Sequence, residues 1–436
     1  MSENIRVPGR GRDGLSVCII ACKDLSLNTR VIRQARSLAR AGHRVTIIGF
    51  VAPDAKLAGD EAAATLLATG GPGVPGWLMT RLWFSRRVLR DEVRVSRNAA
   101  AAVAAGKSRN GRFSRRAAAR LAGCRFDVVQ AHFDKALIAA EVLSRDYGAK
   151  LVFDAVEVPF DEELIPTAPT VRALRLAEIR RETEIARCAD GWITINDSLA
   201  DAAVDRFGIA RPLVLRNCQE EGPWVSDGRL RRDLGLSAQA RVLLHLNTLR
   251  RGEGIEVAIE ALARLPSDVH LVGLGPVPQR GFVREMRQCA ARHGVAERFH
   301  LAPLQPPHAL PAYIAGADIG VIARQGTSQN MRLSLPNRLF QMIAARLPVI
   351  ATPLPEIAAI VRRWGVGTLF EAFDPAALAA SVQAMFEPAA QARYRSALDG
   401  AARRLTWERE SEPYVRLIED LAWGALPAAQ AAEIVQ

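Results

Sequence analysis

The chain has 436 residues, 49% of them apolar and 24% charged, with a formal net charge of +12. That length exceeds a typical single core, so two domains are expected, and the apolar content excludes an intrinsically disordered chain. No apolar run reaches the roughly 18–20 residues that cross a bilayer. Met1 to Gly14 is polar and lacks the apolar core of a signal peptide, so export by that route is not expected. The six cysteines (Cys18, Cys22, Cys124, Cys188, Cys218, Cys289) are scattered without a CxxC pair or zinc-ligand spacing, which points to reduced thiols in a cytoplasm.

In chain order, residues 16–20 form a short β-branched run that reads as a strand. Residues 29–41 follow as a helix with Val31, Ala35, Leu38 and Ala39 on one face, and Gly42 stops it ahead of a strand over Arg44–Phe50. Further strands are expected at 127–130, 150–153, 191–195 and 213–216. Past a break near 218–240 the theme repeats at 242–246, 269–272, 298–301, 318–322 and 348–351. Short buried strands alternating with helices imply parallel sheets joined by right-handed crossovers, and two such halves would place a ligand between them at the strands' carboxyl ends. Residues 401–424 read as one terminal helix with Trp407 and Trp423 as apolar anchors.

The most informative stretch is Ser334-Leu335-Pro336-Asn337-Arg338-Leu339-Phe340-Gln341-Met342-Ile343 followed by Leu347-Pro348-Val349-Ile350-Ala351. Pro336 suits a helix start, the helix N-terminus offers unpaired N–H groups to an anion, and Arg338 adds a fixed charge on the first turn. This pattern describes a seat for a phosphate. It resembles the retaining glycosyltransferases of family 4, over roughly residues 15 to 422 and most weakly over 52 to 122. The resemblance implies an α/β GT-B fold, two Rossmann-like domains with parallel sheets facing across an interdomain cleft. The domains expected are 15–216 for the acceptor, with a basic insert at about 76–122, and 217–400 for the nucleotide-sugar. Residues 401–424 would form a C-terminal helix that either crosses back to the first domain, as the Trp407-Glu408 pair resembles, or is a simple packed terminal helix.

The same resemblance distributes the site residues. Asn337, Arg338 and Pro336 would hold the donor's phosphates and Gln341 its ribose, although the family normally has a glutamate at that position. Gly273 and Gly275 follow a strand, where backbone approaches a nucleotide. Arg250 and Arg251 would meet the diphosphate, or be solvated loop arginines; the family's basic residue is replaced here by Glu253. In the first half, His132 and Asp134 sit past one strand end, and Asp154 and Glu157 past the next. Val156 replaces an expected histidine, which leaves His132 to contact the transferred sugar. Asn28 and Arg30, at the first helix start, would serve the acceptor or donor phosphate. Arg346 stands where glycine is usual, implying altered local backbone. His132, Asp154, Glu157, Arg251 and Arg338 are thus the candidate catalytic residues, and Asn28, Arg30 and Asp134 the acceptor side. The chain has no Asp-x-Asp pair, so no metal and no cofactor beyond the nucleotide-sugar substrate are expected.

Residues 81–120 carry twelve Arg or Lys against Asp91 and Glu92, a local excess of ten positive charges. Trp77, Leu78, Leu82, Trp83, Phe84, Val88 and Leu89 interleave with Arg81, Arg86, Arg87 and Arg90. The segment 77–120 reads either as a peripheral element for an anionic membrane surface, or as a solvated basic face over ordinary core packing. No nucleic-acid-binding motif is present and the aromatics are not spread for base stacking. The expected protein is a cytoplasmic glycosyltransferase of polysaccharide biosynthesis, peripheral on the inner face of the cell membrane. It would use a nucleoside-diphosphate sugar and a glycan or lipid-linked acceptor. The alternative is a non-catalytic GT-B binding or assembly protein, suggested by Glu253, Val156 and Gln341 at chemical positions.

Overall fold

A computed structural model describes residues 14–25, 28–50, 64–68, 109–121, 123–157, 169–222, 224–307 and 309–424. The chain divides into two compact units. One comprises 1–195, 199–215 and 411–436; the other comprises 196–198 and 216–410.

The first unit holds seven parallel strands: β1 (Ser16–Asp24), β2 (Arg44–Phe50), β3 (Ala64–Ala68), β4 (Val128–His132), β5 (Lys150–Ala155), β6 (Gly191–Thr194) and β7 (Leu213–Val214). Their order is β3-β2-β1-β4-β5-β6-β7. The β-branched run beginning at Ser16 is wholly buried from Val17 to Ala21, as a sheet covered on both faces requires. The second unit repeats the plan with β8 (Arg241–Leu246), β9 (Val269–Leu274), β10 (Phe299–Leu301), β11 (Ile319–Ile322), β12 (Val349–Ala351) and β13 (Gly367–Leu369), in the order β10-β9-β8-β11-β12-β13. In both sheets the winding direction reverses once, between β1 and β4 and between β8 and β11. Strand order reversal opens a crevice at the carboxyl ends, where open α/β sheets receive ligands.

Several strands run further than expected. His132, Asp154 and Gly273 lie inside β4, β5 and β9 instead of beyond them. The His132 and Asp154 side chains are buried and paired, so β4 and β5 continue through them. The tail is two helices, Pro388–Arg404 and Trp407–Trp423, because Thr406 pairs with Gln219 in a short parallel bridge that interrupts the pattern. Trp407 is buried, whereas Trp423 is 61% exposed and anchors nothing. From Ser411 onward the last helix belongs to the first unit. There the Tyr414 hydroxyl donates to Gln130 Oε1 at 2.8 Å, and His43 Nε2 lies 3.2 Å from Glu419. Gly191 lies close beneath this helix, where a Cβ would stand 2.7 Å from Leu421 Cδ1 and push that side chain aside.

Candidate active site

At the switch point of the first unit, β4 ends in His132 and the helix Thr29–Arg40 begins after β1. Asn28 caps that helix through its side-chain oxygen, while its Nδ2 is buried with no hydrogen-bond partner among the described residues. Arg30 does not reach outward as expected. It is buried, donating from Nε and Nη2 to the two carboxylate oxygens of Asp154 at 2.9 and 2.8 Å and from Nη1 to the Leu215 carbonyl at 2.8 Å. Gln34 Nε2 donates to Asp154 Oδ2 at 2.9 Å, His132 Nδ1 lies 3.0 Å from the same oxygen, and Gln130 joins Gln34 to Tyr414.

The Asp154 carboxylate is therefore buried inside the sheet, with Arg30, Gln34 and His132 all on its oxygens. Burial alone would raise its pKa, but the Arg30 charge and the hydrogen bonds from His132 and Arg30 hold it well below the usual carboxylate range. The carboxylate in turn orients the His132 ring, as an acid beside an imidazole does in many sites. The ring is also edged by Phe133 at 4.6 Å between centroids. Phe133 has φ 66° and ψ 161°, a conformation that glycine favours and that costs a phenylalanine about 1–3 kcal/mol. Asp134 is drawn away from an acceptor role by Arg175, whose Nη2 donates to it at 2.6 Å. Glu157 stands half-buried two residues beyond β5.

The second switch point is built around Glu253. This residue is neither solvated nor idle: its side chain is 2% exposed and is surrounded by three guanidinium groups. Arg250 Nη2 donates to Oε1 at 3.0 Å, and Arg324 Nε and Arg338 Nη2 donate to Oε2 at 3.3 Å each. Asn247 Nδ2 adds a bond at 2.6 Å. Arg324, which no sequence signal singled out, follows β11 and is fixed by Ser334 Oγ at 2.6 Å, its own carbonyl being held by Thr352 Oγ1 at 2.8 Å. Burial would raise the Glu253 pKa, yet Arg338, Arg324 and Arg250 bring it below its ordinary value. Arg338 is itself lowered to about 10 by burial, offset by Glu253, and stays charged at neutral pH. His245 in β8 is buried with neither ring nitrogen hydrogen-bonded, and burial and then Arg338 lower it to about 3, so it is neutral.

Around this cluster the backbone is close-packed. Gly254 has φ 83°, and a Cβ there would stand 1.9 Å from the Ala323 carbonyl oxygen. Gly275 has φ 150°, and a Cβ would meet the Asn247 carbonyl at 1.7 Å. Gly275 thus lets the β8 and β9 ends touch, whereas a Cβ at Gly273 would press on Ile255 Cδ1 and Leu301 Cδ2 at 3.0 and 3.1 Å. Pro336 is the residue before the helix Asn337–Ala344 instead of its first turn; it is buried, Asn337 is exposed and Gln341 is half-buried. Arg346 keeps the left-handed backbone that glycine would supply, φ 55°, with its own Nη1 donating to the Ala344 carbonyl at 2.6 Å. Arg251 sits apart from the cluster, exposed and paired with Glu285.

Two parallel α/β units in one chain, each with its polar cluster at the sheet's switch point, define a two-domain, doubly wound α/β protein. Residues 240–387 match the glycosyl transferases group 1 family and residues 27–218 match the glycosyl transferase 4-like domain, together most of the chain. The chain belongs to the family 4 glycosyltransferases of GT-B fold. It is 24% identical over 322 residues to the D-inositol 3-phosphate glycosyltransferase of Acidothermus cellulolyticus, covering 68% of this chain and 67% of that protein. With the enzyme of the same name from Geodermatophilus obscurus it is 27% identical over 256 residues, 55% and 54% of the two chains. Among solved structures, sucrose-phosphate synthase of Thermosynechococcus elongatus superposes with a TM-score of 0.70 at 16% identity, covering 94% of this chain and all of that one. HepE of Anabaena, in complex with UDP and glucose, gives 0.66 at 15% identity, covering 93% and 100%.

Proposed function

We propose that the protein transfers a sugar from a nucleoside-diphosphate sugar to a glycan or lipid-linked acceptor, retaining the anomeric configuration, with no metal at the diphosphate. The observation that carries this reading is the Glu253 cluster, in which three arginines face one carboxylate and leave an excess of two positive charges. A leaving diphosphate carries comparable negative charge, so fixed guanidiniums supply what a divalent ion would otherwise supply. Arg338 and Arg324 are preorganised by Glu253 and Ser334, while Arg250, 46% exposed, is the most exposed of the three and would exchange Glu253 for a ligand. The helix beginning at Asn337 offers its N-terminus to the same phosphates, and Gln341, one turn on, takes the ribose.

In the step itself, the acceptor hydroxyl oxygen bonds the anomeric carbon as the carbon–oxygen bond to the diphosphate breaks. The hydroxyl proton passes to the leaving diphosphate on the same face. On the first unit, His132, held by Asp154, and Asn28, with its unpartnered amide, supply the acceptor side. The basic segment 77–120 favours an acceptor at an anionic membrane surface and a peripheral location there; residues 77–108 of it lie outside the described residues. No described helix is long and apolar enough to cross a membrane. A phosphorylated inositol acceptor is the second reading, favoured by the names of the curated relatives.

The test is thermal stabilisation by UDP, GDP, ADP, CMP and dTDP, each measured against a nucleotide-free control at the same EDTA concentration. One nucleotide should raise the midpoint equally with and without EDTA. Arg338→Ala should weaken that nucleotide by about 1.5–3 kcal/mol, the worth of a charged hydrogen bond. A shift abolished by EDTA, or unchanged in Arg338→Ala, overturns the arginine-only diphosphate seat.

A further inference from the structure

The crossover helices Ile255–Leu262 and Phe282–Arg292 of the second unit pack side by side. The first carries Glu256 and Glu260 four residues apart; the second carries Glu285 and Cys289, with His293 capping its end four residues further. Residues at that spacing share a helix face. One ligand atom each from Glu260, Cys289 and His293 lies within 4.8 Å of the other two, with Glu260 Oε1 and His293 Nε2 4.0 Å apart. Around a tetrahedral zinc ion, bonds of about 2.0–2.3 Å put ligand atoms roughly 3.3–3.8 Å apart. Side-chain adjustment of about an ångström therefore closes the site. One turn before Glu260, the partly buried Glu256 has one carboxylate oxygen, Oε2, with no hydrogen-bond partner among the described residues.

We propose that Glu260, Cys289 and His293 form a zinc(II) site, with water as the fourth ligand. The donor set selects the metal, since thiolate with imidazole suits zinc while magnesium and calcium want oxygen alone. Exposure is graded to match, with Cys289 buried, Glu260 half-buried and His293 open to solvent. A zinc-bound cysteine is a thiolate, so metal entry releases the proton of the Cys289 thiol. In a right-handed crossover each helix starts near the carboxyl end of one strand and finishes near the start of the next. The site thus lies at the helix ends, toward the sheet edge opposite the Glu253 cluster. It clamps two helices and takes no part in sugar transfer, so it stands or falls separately from the function proposed above.

The experiment uses the untagged full chain, stripped with chelator and titrated with cobalt(II). Expected are a thiolate-to-cobalt charge-transfer band and intense tetrahedral visible bands, both displaced by one zinc per chain, and a zinc-dependent rise in thermal midpoint of several degrees. Cys289→Ser should abolish the charge-transfer band. His293→Ala, at an exposed position that leaves folding intact, should weaken zinc at least tenfold and remove the midpoint shift. Absence of the band in the stripped protein overturns the site, as does a band that survives in Cys289→Ser, which would locate the metal at another thiol.

Discussion

The two switch points use the same chemical parts in different proportion. In the first unit one arginine, Arg30, meets one carboxylate, Asp154, with both side chains at most 4% exposed. In the second, one carboxylate, Glu253, meets three arginines. A one-to-one buried pair is electrically complete and holds structure; a three-to-one group is incomplete and needs an anion. Location at a strand's carboxyl end does not separate a support from a binding site, whereas the local charge balance does.

The largest expected effect tests the support. Asp154→Asn keeps the shape of the side chain but leaves Arg30 buried without a counterion, so stability should fall by about 3–5 kcal/mol. Chemical denaturation of the full chain followed by tryptophan fluorescence reads this, Trp192 lying buried in the same sheet. A loss below about 1 kcal/mol would mean that Arg30 finds other partners, and the distinction between a complete and an incomplete cluster would collapse.

Short β-branched runs at the strand centres make the two parallel sheets legible in the sequence, because a strand buried on both faces must be apolar throughout. The carboxyl ends are not, since His132, Asp154 and Gln130 read as the polar end of a strand when they are in fact its buried, mutually bonded continuation. Their partners are remote: Arg30 is 124 positions from Asp154, and Arg324 is 71 from Glu253. Local pattern contains no trace of such pairings. Glu253 is the instructive case. An acid where the family places a base suggests a lost phosphate ligand, yet in space it is the post that aligns Arg324 and Arg338. The Pro336 helix is legible because its signal is local. The break at Leu405-Thr406 is not, because it answers to Gln219 across the fold.

A moderate effect sharpens the reading of the incomplete cluster. Glu253→Gln preserves the side chain's size and its bond to Asn247 while raising the excess from two positive charges to three. At an effective dielectric near 20, one charge removed several ångströms from the phosphates is worth about 1 kcal/mol after screening, or roughly fivefold tighter nucleoside-diphosphate binding. Calorimetric titration with the stabilising nucleotide measures it. Binding loosened by a similar factor would show that Glu253 acts chiefly by aligning the arginines, so that alignment outweighs charge.

The smallest expected effect comes from the opposite proportion, three acids on one base. Arg175 donates to Asp134, Glu178 and Glu182, and the side chain of Glu182 is fully buried. Burial raises Glu182 to about 8; Arg175 opposes this, while Asp134 and Glu178 add to it. A folded-state pKa above the unfolded value means that the native state keeps a proton the unfolded chain has released. The contribution is fully present below the ordinary glutamate value of 4.5 and is lost as pH rises through about 8. Asp154, whose pKa is depressed, behaves in the reverse sense and weakens the fold only on acidification. Glu182→Gln removes the first dependence alone. Denaturation midpoints of wild type and variant at pH 5, 6, 7 and 8 should therefore diverge, the wild type losing about 0.5 kcal/mol more per pH unit, a fraction of the one-proton limit of about 1.4. Parallel curves would mean that Arg175 keeps Glu182 ionised throughout, and that an acid-rich cluster can be as electrically settled as the Arg30–Asp154 pair.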